Sequence, residues 1–199
     1  MTAATLDHPK AAIPSVFTQD ELGWNAWLDP VPEDALTERQ KQGLVDIARA
    51  KSPYFRLLAH DPDILRARTL ADKDIFYNTR AGLPRAEREL AAAAVSRSNG
   101  CIYCASVHAR FATTHSKRRD DVQRLLDDGV DVDIDPLWNA VIEASVALTA
   151  TPVAFDKSHV AKLRRLGLDD LSIADLIHAA SFFNWANRLM LSLGEPETR

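Results

Sequence analysis

An all-α fold is predicted for this chain of 199 residues, and three observations predict it. No segment alternates apolar and polar residues over a sustained stretch, as a half-buried strand would. Residues that start and stop helices recur along the whole chain, beginning with a capping-box pattern at Thr37 and Gln40. Residues 84–98 are rich in alanine, which has the highest helix propensity. We therefore expect a bundle of helices and no strand.

Each helix is expected between recognisable boundary residues. Ser52-Pro53 and Asp61-Pro62 each place proline at the first helical position, where its missing N–H costs nothing. Ser172 and Asp175 match a second capping box, ahead of the last helix. Glycine or proline marks most of the other boundaries. The helices are expected at 38–50, 54–60, 62–78, 84–98, 101–114, 119–128, 136–151, 157–167 and 173–193.

The chain has the length of one domain. Residues 1–20 are expected to form an N-terminal arm that is ordered only against a partner, and residues 21–199 to form a single helical domain. A break at 130–135 separates the half that carries both cysteines from a second half with a comparable helix pattern. This pattern suggests two similar helical halves.

The composition argues against several classes of protein. Apolar residues make up 46% of the sequence and charged residues 26%, as in ordinary globular domains. A net charge of −4 argues against a surface for nucleic acid. The longest apolar run, 90–95, is far shorter than the roughly 20 residues that span a bilayer, and the N-terminus lacks a secretory pattern. We therefore expect a cytoplasmic protein that binds neither nucleic acid nor membranes.

The two cysteines of the sequence lie three positions apart, in Cys101-Ile102-Tyr103-Cys104, and His108 follows one helical turn later. On a helix these three side chains lie at about 0°, 300° and 340° around the axis, so they project from one face. Residues three apart are about 5–6 Å from each other, which suits a reversible disulfide. Gly100 places Cys101 at a helix N-terminus, where a thiolate is favoured. The pattern predicts a redox-active thiol pair with its own base.

Glu89 is the candidate group that orients this histidine. It lies on the Ala-rich stripe of the preceding helix, where a buried carboxylate requires a partner. One interpretation pairs Glu89 with His108 across the two helices. The other is an ordinary salt bridge with Arg85 or Arg88 on its own helix.

A metal site and a structural role for the cysteines are the alternatives to redox chemistry. His115 shares the face of the thiols, but on a straight helix it is about 21 Å from Cys101. Zinc ligands all lie about 2.0–2.3 Å from the ion, and the sequence has no second CxxC and no HxxxH pair. We expect no metal, with His115 on the surface. In the structural alternative, both cysteines are small buried hydrophobic residues.

The sequence resembles the Glu–CxxC–His signature of the AhpD-like alkylhydroperoxidases in the identity and spacing of Glu89, Cys101-x-x-Cys104 and His108. These proteins belong to the carboxymuconolactone decarboxylase superfamily. The stretch 83–108 is similar to the peroxidase-related branch, and Phe183-Asn184-Trp185-Ala186-Asn187-Arg188 resembles its FNxxNR element. The resemblance is concentrated in 83–112 and extends more weakly from about 30 to 194. It implies an AhpD-like helical bundle, assembly into trimers or hexamers, and reduction of organic hydroperoxides in antioxidant defence.

Carried over by position, the resemblance implies that Cys104 attacks the peroxide and that Cys101 is the resolving thiol. His108 would take the proton, and Glu89 would polarise it. Tyr103 replaces a relay histidine of the best-known members, and a phenol with a pKa of about 10 does not shuttle protons at neutral pH. No haem, flavin, metal or other cofactor is implied. An external thiol, for which a lipoyl-bearing partner is one option, must reduce the disulfide.

Two other functions stay open at this stage. A lactone decarboxylase-type enzyme would have no use for a redox dithiol, and a non-enzymatic redox sensor would be oxidised without turnover. Four aromatic residues of the early segments form either a partner-binding surface of a homo-oligomer or part of the core: Trp24, Trp27, Tyr54 and Phe55. The polar residues of the FNxxNR element line the site entrance, anchor the oligomer or cap neighbouring helices.

Overall fold

The computed structural model describes residues 5–78 and 80–199. Helices dominate these residues, which confirms the predicted all-α class. A small two-stranded sheet and two short 3₁₀ segments, Glu33–Ala35 and Ile47–Lys51, accompany them. In chain order the main elements are β1 (Leu22–Ala26), α1 (Glu38–Leu44), α2 (Pro53–Leu58), α3 (Pro62–Tyr77), α4 (Arg85–Ser98), α5 (Ile102–Ser116), α6 (Arg119–Asp128), α7 (Pro136–Thr149), α8 (Lys157–Arg165), α9 (Asp170–Leu193) and β2 (Gly194–Thr198).

Most helices start where the capping chemistry of the sequence predicts. The capping box at Thr37 is confirmed, because its hydroxyl accepts from Gln40 N and the Gln40 side chain accepts from Thr37 N. Asp61 caps α3 by accepting a hydrogen bond from Ile64 N, with Pro62 at the first helical position. These side chains satisfy backbone N–H groups that have no partner within the helix.

Two predicted boundaries are wrong. The first helix does not reach residue 50, because Val45 adopts a φ of 64° and ends α1, and a 3₁₀ helix, Ile47–Lys51, follows. The last helix is not capped by Ser172. Asp169 is its N-cap and accepts from Ser172 N at 2.8 Å. Asp175, the other residue of the expected capping box, accepts a backbone hydrogen bond from the turn before α4 instead.

The expectation that the chain forms no strand is wrong near its two ends. β1 and β2 pair antiparallel, with Leu22 opposite Thr198 and Ala26 opposite Gly194. Neither segment alternates apolar and polar residues, and β2 contains both glycine and proline, which disfavour strands. The pairing is a long-range contact between segments that α9 brings together. Local sequence patterns therefore do not reveal it.

α4 is the central helix of the bundle. It packs against α5, α7 and α9, and every side chain from Leu90 to Val95 is fully buried. Four of these six residues are alanine, whose small side chain lets neighbouring helices approach closely. Glu89 precedes this stretch and is therefore held in the interior between helices.

The aromatic residues of the early segments belong largely to the core. Trp24 and Tyr54 are buried, and their ring centroids lie 5.5 Å apart in an edge-to-face contact. Trp27 and Phe55 are partly buried. This arrangement favours the core interpretation of these four residues over an exposed aromatic surface.

The N-terminal segment contacts the rest of the same chain. Residues 5–20 contain no helix or strand. Leu6 N donates to Trp27 O, and the buried Gln19 side chain donates to Gln123 of α6 and accepts from Thr113 of α5. Across 5–78 and 80–199, no helix combines the length and the apolar character needed to cross a membrane.

Candidate functional site

The two cysteines lie at the N-terminus of α5. Cys101 is the residue immediately before the helix, and Cys104 lies in its first turn. Both are buried free thiols, and their Sγ atoms are 2.8 Å apart. The turn from α4 into α5 requires Gly100, whose φ of 78° is in the left-handed region that other residues adopt at a cost. The structure therefore brings the thiols together as their spacing predicts.

The surroundings distinguish the two thiols. The hydrogen bond with Cys104 lowers the pKa of Cys101 against the opposing effect of burial, and the Asn187 side chain contributes to the decrease. Burial raises the pKa of Cys104. The reduced pair therefore carries its first negative charge on Cys101, at the positive end of the helix dipole. Proton exchange across the 2.8 Å between the sulfur atoms would move that charge to Cys104.

Glu89 contacts two of the three partners considered for it. One carboxylate oxygen, Oε2, lies 2.6 Å from His108 Nδ1, and the other, Oε1, accepts from Arg85 Nε at 3.0 Å. Glu89 is only 1% exposed, so these partners replace the water that a carboxylate needs. The imidazole is held further by Phe183, whose ring centroid is 3.8 Å from its own. The Glu89–His108 pair is thus built into the core.

Arg88, the third candidate partner, is engaged elsewhere. It donates to backbone carbonyls at the end of α3 and in the segment between α3 and α4, among them Ile75 O and Asn78 O at 2.8 Å each. It also pairs with Asp175 of α9 at 3.0 Å. Arg88 therefore ties this segment to the bundle and leaves Glu89 to His108 and Arg85.

A cavity of about 210 Å³ connects Cys104 with the Glu89–His108 pair. Cys101 faces a separate cavity of about 150 Å³. Among the described residues His108 makes no direct hydrogen bond to either sulfur atom, so a molecule inside the cavity is needed to link imidazole and thiol. Aromatic side chains form much of the wall: Tyr54, Phe55, Phe76, Tyr77, Tyr103, Phe111 and Phe183.

Asn187 is a site residue whose role the sequence did not indicate. Its fully buried side chain accepts from Asn99 Nδ2 at 3.1 Å and donates to Ser96 Oγ at 3.0 Å. Hydrogen bonding by its side chain also lowers the pKa of Cys101. The FNxxNR element was the available signal, because its spacing places Phe183 and Asn187 one turn apart on one face. Arg188, by contrast, is exposed.

Tyr103 and His115 differ in their distance from the thiols. Tyr103 is partly buried and lines the cavities of both cysteines, and burial raises the pKa of its phenol. It therefore stays protonated at neutral pH. His115 is exposed near the end of α5. Within the described ranges, no three or more His, Cys, Asp and Glu side chains cluster as metal ligands would.

Comparison with known proteins finds the same resemblance as the sequence motif. Residues 62–147 match the carboxymuconolactone decarboxylase family. This segment contains α4, α5 and all of Glu89, Cys101, Cys104 and His108. The match covers 86 of the 199 residues, so it shows a likeness of this segment to the family. No curated protein sequence matches the chain.

Solved structures share the fold at low sequence identity. An alkylhydroperoxidase AhpD core, a peroxidase-related protein from Ralstonia eutropha JMP134, is 24% identical, with a TM-score of 0.70 over 82% of this chain and 88% of that one. A peroxidase-related protein from Silicibacter sp. TM1040 is 19% identical, with a TM-score of 0.68 over 96% and 95%. A cysteine-to-alanine variant of the debrominase Bmp8, in complex with 2,3,4-tribromopyrrole, is 18% identical, with a TM-score of 0.64 over 84% and 89%.

Proposed function

We propose that this protein is a thiol-dependent peroxidase that reduces organic hydroperoxides through a dithiol–disulfide cycle of Cys101 and Cys104. The observation that carries the proposal is the geometry of the site. Two buried thiols are 2.8 Å apart, and one of them shares a cavity with a carboxylate–imidazole pair. This arrangement supplies a nucleophile, a resolving thiol and a group that handles protons.

The first step is attack by the Cys104 thiolate on the terminal oxygen of the hydroperoxide. An S–O bond forms, the O–O bond breaks, and the alkoxide leaves with a proton as the alcohol. Cys104 is chosen because it faces the cavity that also contains His108, whereas Cys101 faces another. The thiolate reaches Cys104 when Cys101 accepts its proton. The product on the protein is a sulfenic acid.

The second step is attack by the Cys101 thiolate on the Cys104 sulfur. The S–O bond breaks, hydroxide leaves with a proton as water, and the disulfide forms. In total, one hydroperoxide and two thiols give an alcohol, water and a disulfide. Glu89 holds the His108 ring by its Nδ1 atom, so that Nε2 is free to accept a proton that the thiol pair releases and to pass it to the leaving oxygen. Tyr103 can donate a hydrogen bond but does not transfer a proton in this step.

The cycle requires an external thiol that reduces the disulfide, and we propose a dithiol of the lipoyl type as the partner. We also propose that the protein works in the cytoplasm as a homotrimer or homohexamer and acts in antioxidant defence. Nucleic acid and membranes have no part in this proposal. Light scattering of the purified protein measures the oligomer, and a monomer would contradict the expected assembly.

The experiment that tests the proposal is a free-thiol titration after a pulse of one equivalent of cumene hydroperoxide. We expect wild-type protein to lose two thiols per chain. Cys101→Ser should form a trappable sulfenic acid, and Cys104→Ser should not. Unchanged thiols in wild type would contradict the peroxidase, and a sulfenic acid in Cys104→Ser alone would reverse the two roles.

Excess dithiol reductant distinguishes the other candidates. Repeated turnover of hydroperoxide is expected for the enzyme, whereas a redox sensor would be oxidised once and stop. Lactone consumption that survives Cys104→Ser would indicate a lactone decarboxylase-type enzyme. Bromide release from a bromopyrrole, measured in the same samples, tests whether this chain shares the activity named for the debrominase structure.

A further inference from the structure

Arg68 of α3 is a buried cation with free hydrogen-bonding capacity. It is 9% exposed, and within the described part of the chain its Nε and Nη1 atoms have no hydrogen-bond partner. The carboxylate of Asp72 lies 3.6 Å from Nη1, which is beyond hydrogen-bond distance. The rings of Phe55 and Phe182 each lie 5.3 Å from the guanidinium carbon. Cation–π contacts thus hold Arg68 in place but leave its Nε and Nη1 groups without a hydrogen-bond acceptor.

Tyr54 presents a second unpaired donor to the same cavity. It is 5% exposed, and its hydroxyl has no hydrogen-bond partner among the described residues. Burial raises the pKa of Tyr54, and the charge of Arg68 opposes this increase. Both line the cavity that contains Cys104 and His108. A buried donor without an acceptor destabilises the protein, and a ligand in the cavity would supply that acceptor.

The charges around this end of the cavity favour an anionic ligand. Arg49 and Arg68 both approach Asp72, at 3.8 and 3.6 Å, so two cations share one carboxylate. Glu89, the other carboxylate of the wall, already pairs with Arg85. While both thiols are protonated, one positive charge therefore remains unbalanced in a largely apolar environment, where an electrostatic interaction is stronger than in water.

We propose that Arg68 and Tyr54 form a binding site for a carboxylate group of the substrate. The inference rests on the proposed peroxidase function and specifies its substrate class. The substrate is an amphipathic hydroperoxide whose apolar body contacts the aromatic wall and whose carboxylate accepts hydrogen bonds from Arg68 and Tyr54. Its hydroperoxide group then lies toward Cys104 and His108.

Binding of unreactive alcohols tests this site without requiring any chemistry. Cumyl alcohol and its meta- and para-carboxylates are titrated into reduced protein by calorimetry. We expect a carboxylate to bind at least about tenfold more tightly than the neutral alcohol, as a charge-assisted hydrogen bond predicts. Arg68→Met should abolish this preference. Tyr54→Phe should reduce it by about threefold, and Arg68→Lys should retain part of it, because the charge remains without the planar guanidinium.

Arg66→Met is the matched control, because Arg66 lies on the same helix, has the same charge and is exposed. It should keep the full preference. Equal affinity of wild type for neutral and carboxylated alcohols would overturn the proposal, as would a preference that survives in folded Arg68→Met protein. If Arg68→Met changes only the titration of the thiols, Arg68 serves the thiolate and the proposal is likewise refuted.

Thiol loss with cumene hydroperoxide and its carboxylated analogues separates the two proposals. Faster oxidation by a carboxylated analogue, dependent on Arg68, supports both. A carboxylate preference in binding without thiol loss to any hydroperoxide would sustain the anion site and reject the peroxidase. Equal oxidation by all hydroperoxides, with equal binding of the alcohols, would sustain the peroxidase and reject the anion site.

Discussion

Asn187→Leu removes the buried amide that supports the thiol pair while nearly conserving its volume. Hydrogen bonding by the amide side chain lowers the pKa of Cys101. Its two other partners keep hydrogen bonds of their own, because Asn99 also donates to Asn184 Oδ1 and Ser96 also donates to Ala92 O. The substitution therefore weakens the thiolate more than it disrupts the fold.

The magnitude follows from the strength of a hydrogen bond to a charged group, about 1.5–3 kcal/mol. One pKa unit corresponds to about 1.4 kcal/mol, so losing the Asn187 contact should raise the thiol pKa by about one to two units. At pH values below the wild-type pKa the thiolate fraction then falls about tenfold or more. The free energy of unfolding should fall by about 1–3 kcal/mol, since one buried polar network loses a member.

The assay is the rate of alkylation by iodoacetamide as a function of pH, in a Cys104→Ser background where Cys101 alone reports. Because the pKa rises, the deficit should be largest below the wild-type midpoint and disappear at strongly alkaline pH, where both proteins are fully ionised. Asn184→Leu is the control, since Asn184 contacts Asn99 without contacting the thiols. An unchanged midpoint in Asn187→Leu, or a rate deficit of equal size at every pH, would refute the reasoning.

Three further predictions concern the relay and the fold. Glu89→Gln should slow thiol oxidation by hydroperoxide about 10²–10⁴-fold in stopped-flow measurements, and an unaltered rate would remove Glu89 from the mechanism. Tyr103→His should increase that rate. Tyr103→Phe should leave it within about twofold, because a phenol that stays protonated does not relay protons; a large loss in Tyr103→Phe would contradict this. Asp135→Ala should lower the free energy of unfolding by about 1–2 kcal/mol in urea titrations, because Asp135 caps α7 and pairs with Arg118. Partial burial raises the pKa of Asp135, but hydrogen bonds from Trp138 N and Arg118 outweigh this effect and lower it. The stability difference between wild type and Asp135→Ala should therefore be complete near neutral pH and shrink below about pH 4. A stability difference that does not depend on pH would argue against a role of the carboxylate.

The helix boundaries that local chemistry controls could be predicted from the sequence. Thr37 and Asp61 cap helices as expected, because a side-chain oxygen can reach backbone N–H groups within the same turn. The failures have long-range causes. Asp175 fits a capping box locally, but the backbone N–H of Leu83 before α4 and the side chain of Arg88 within α4 compete for its carboxylate and prevail.

The candidate site shows the same division. The spacing of Cys101, Cys104 and His108 on one helix identified these residues, because a helix fixes the directions of side chains three and four apart. The approach of Glu89 to His108 depends on how closely α4 packs against α5, which the sequence suggests only through its alanines. Tyr54 belongs to no recognisable site motif, and its position in the sequence predicts either a core residue or part of a partner surface.

By itself, the sequence determined the helical class, the thiol pair and the histidine beside it, because these depend on patterns within one or two turns. The tertiary structure alone decided the pairing of β1 with β2, the different surroundings of the two thiols and the placement of Arg68 and Asn187 around them. Each of these joins segments far apart in the chain. Burial then sets their chemistry, since removal from water makes unpaired donors and shared charges matter.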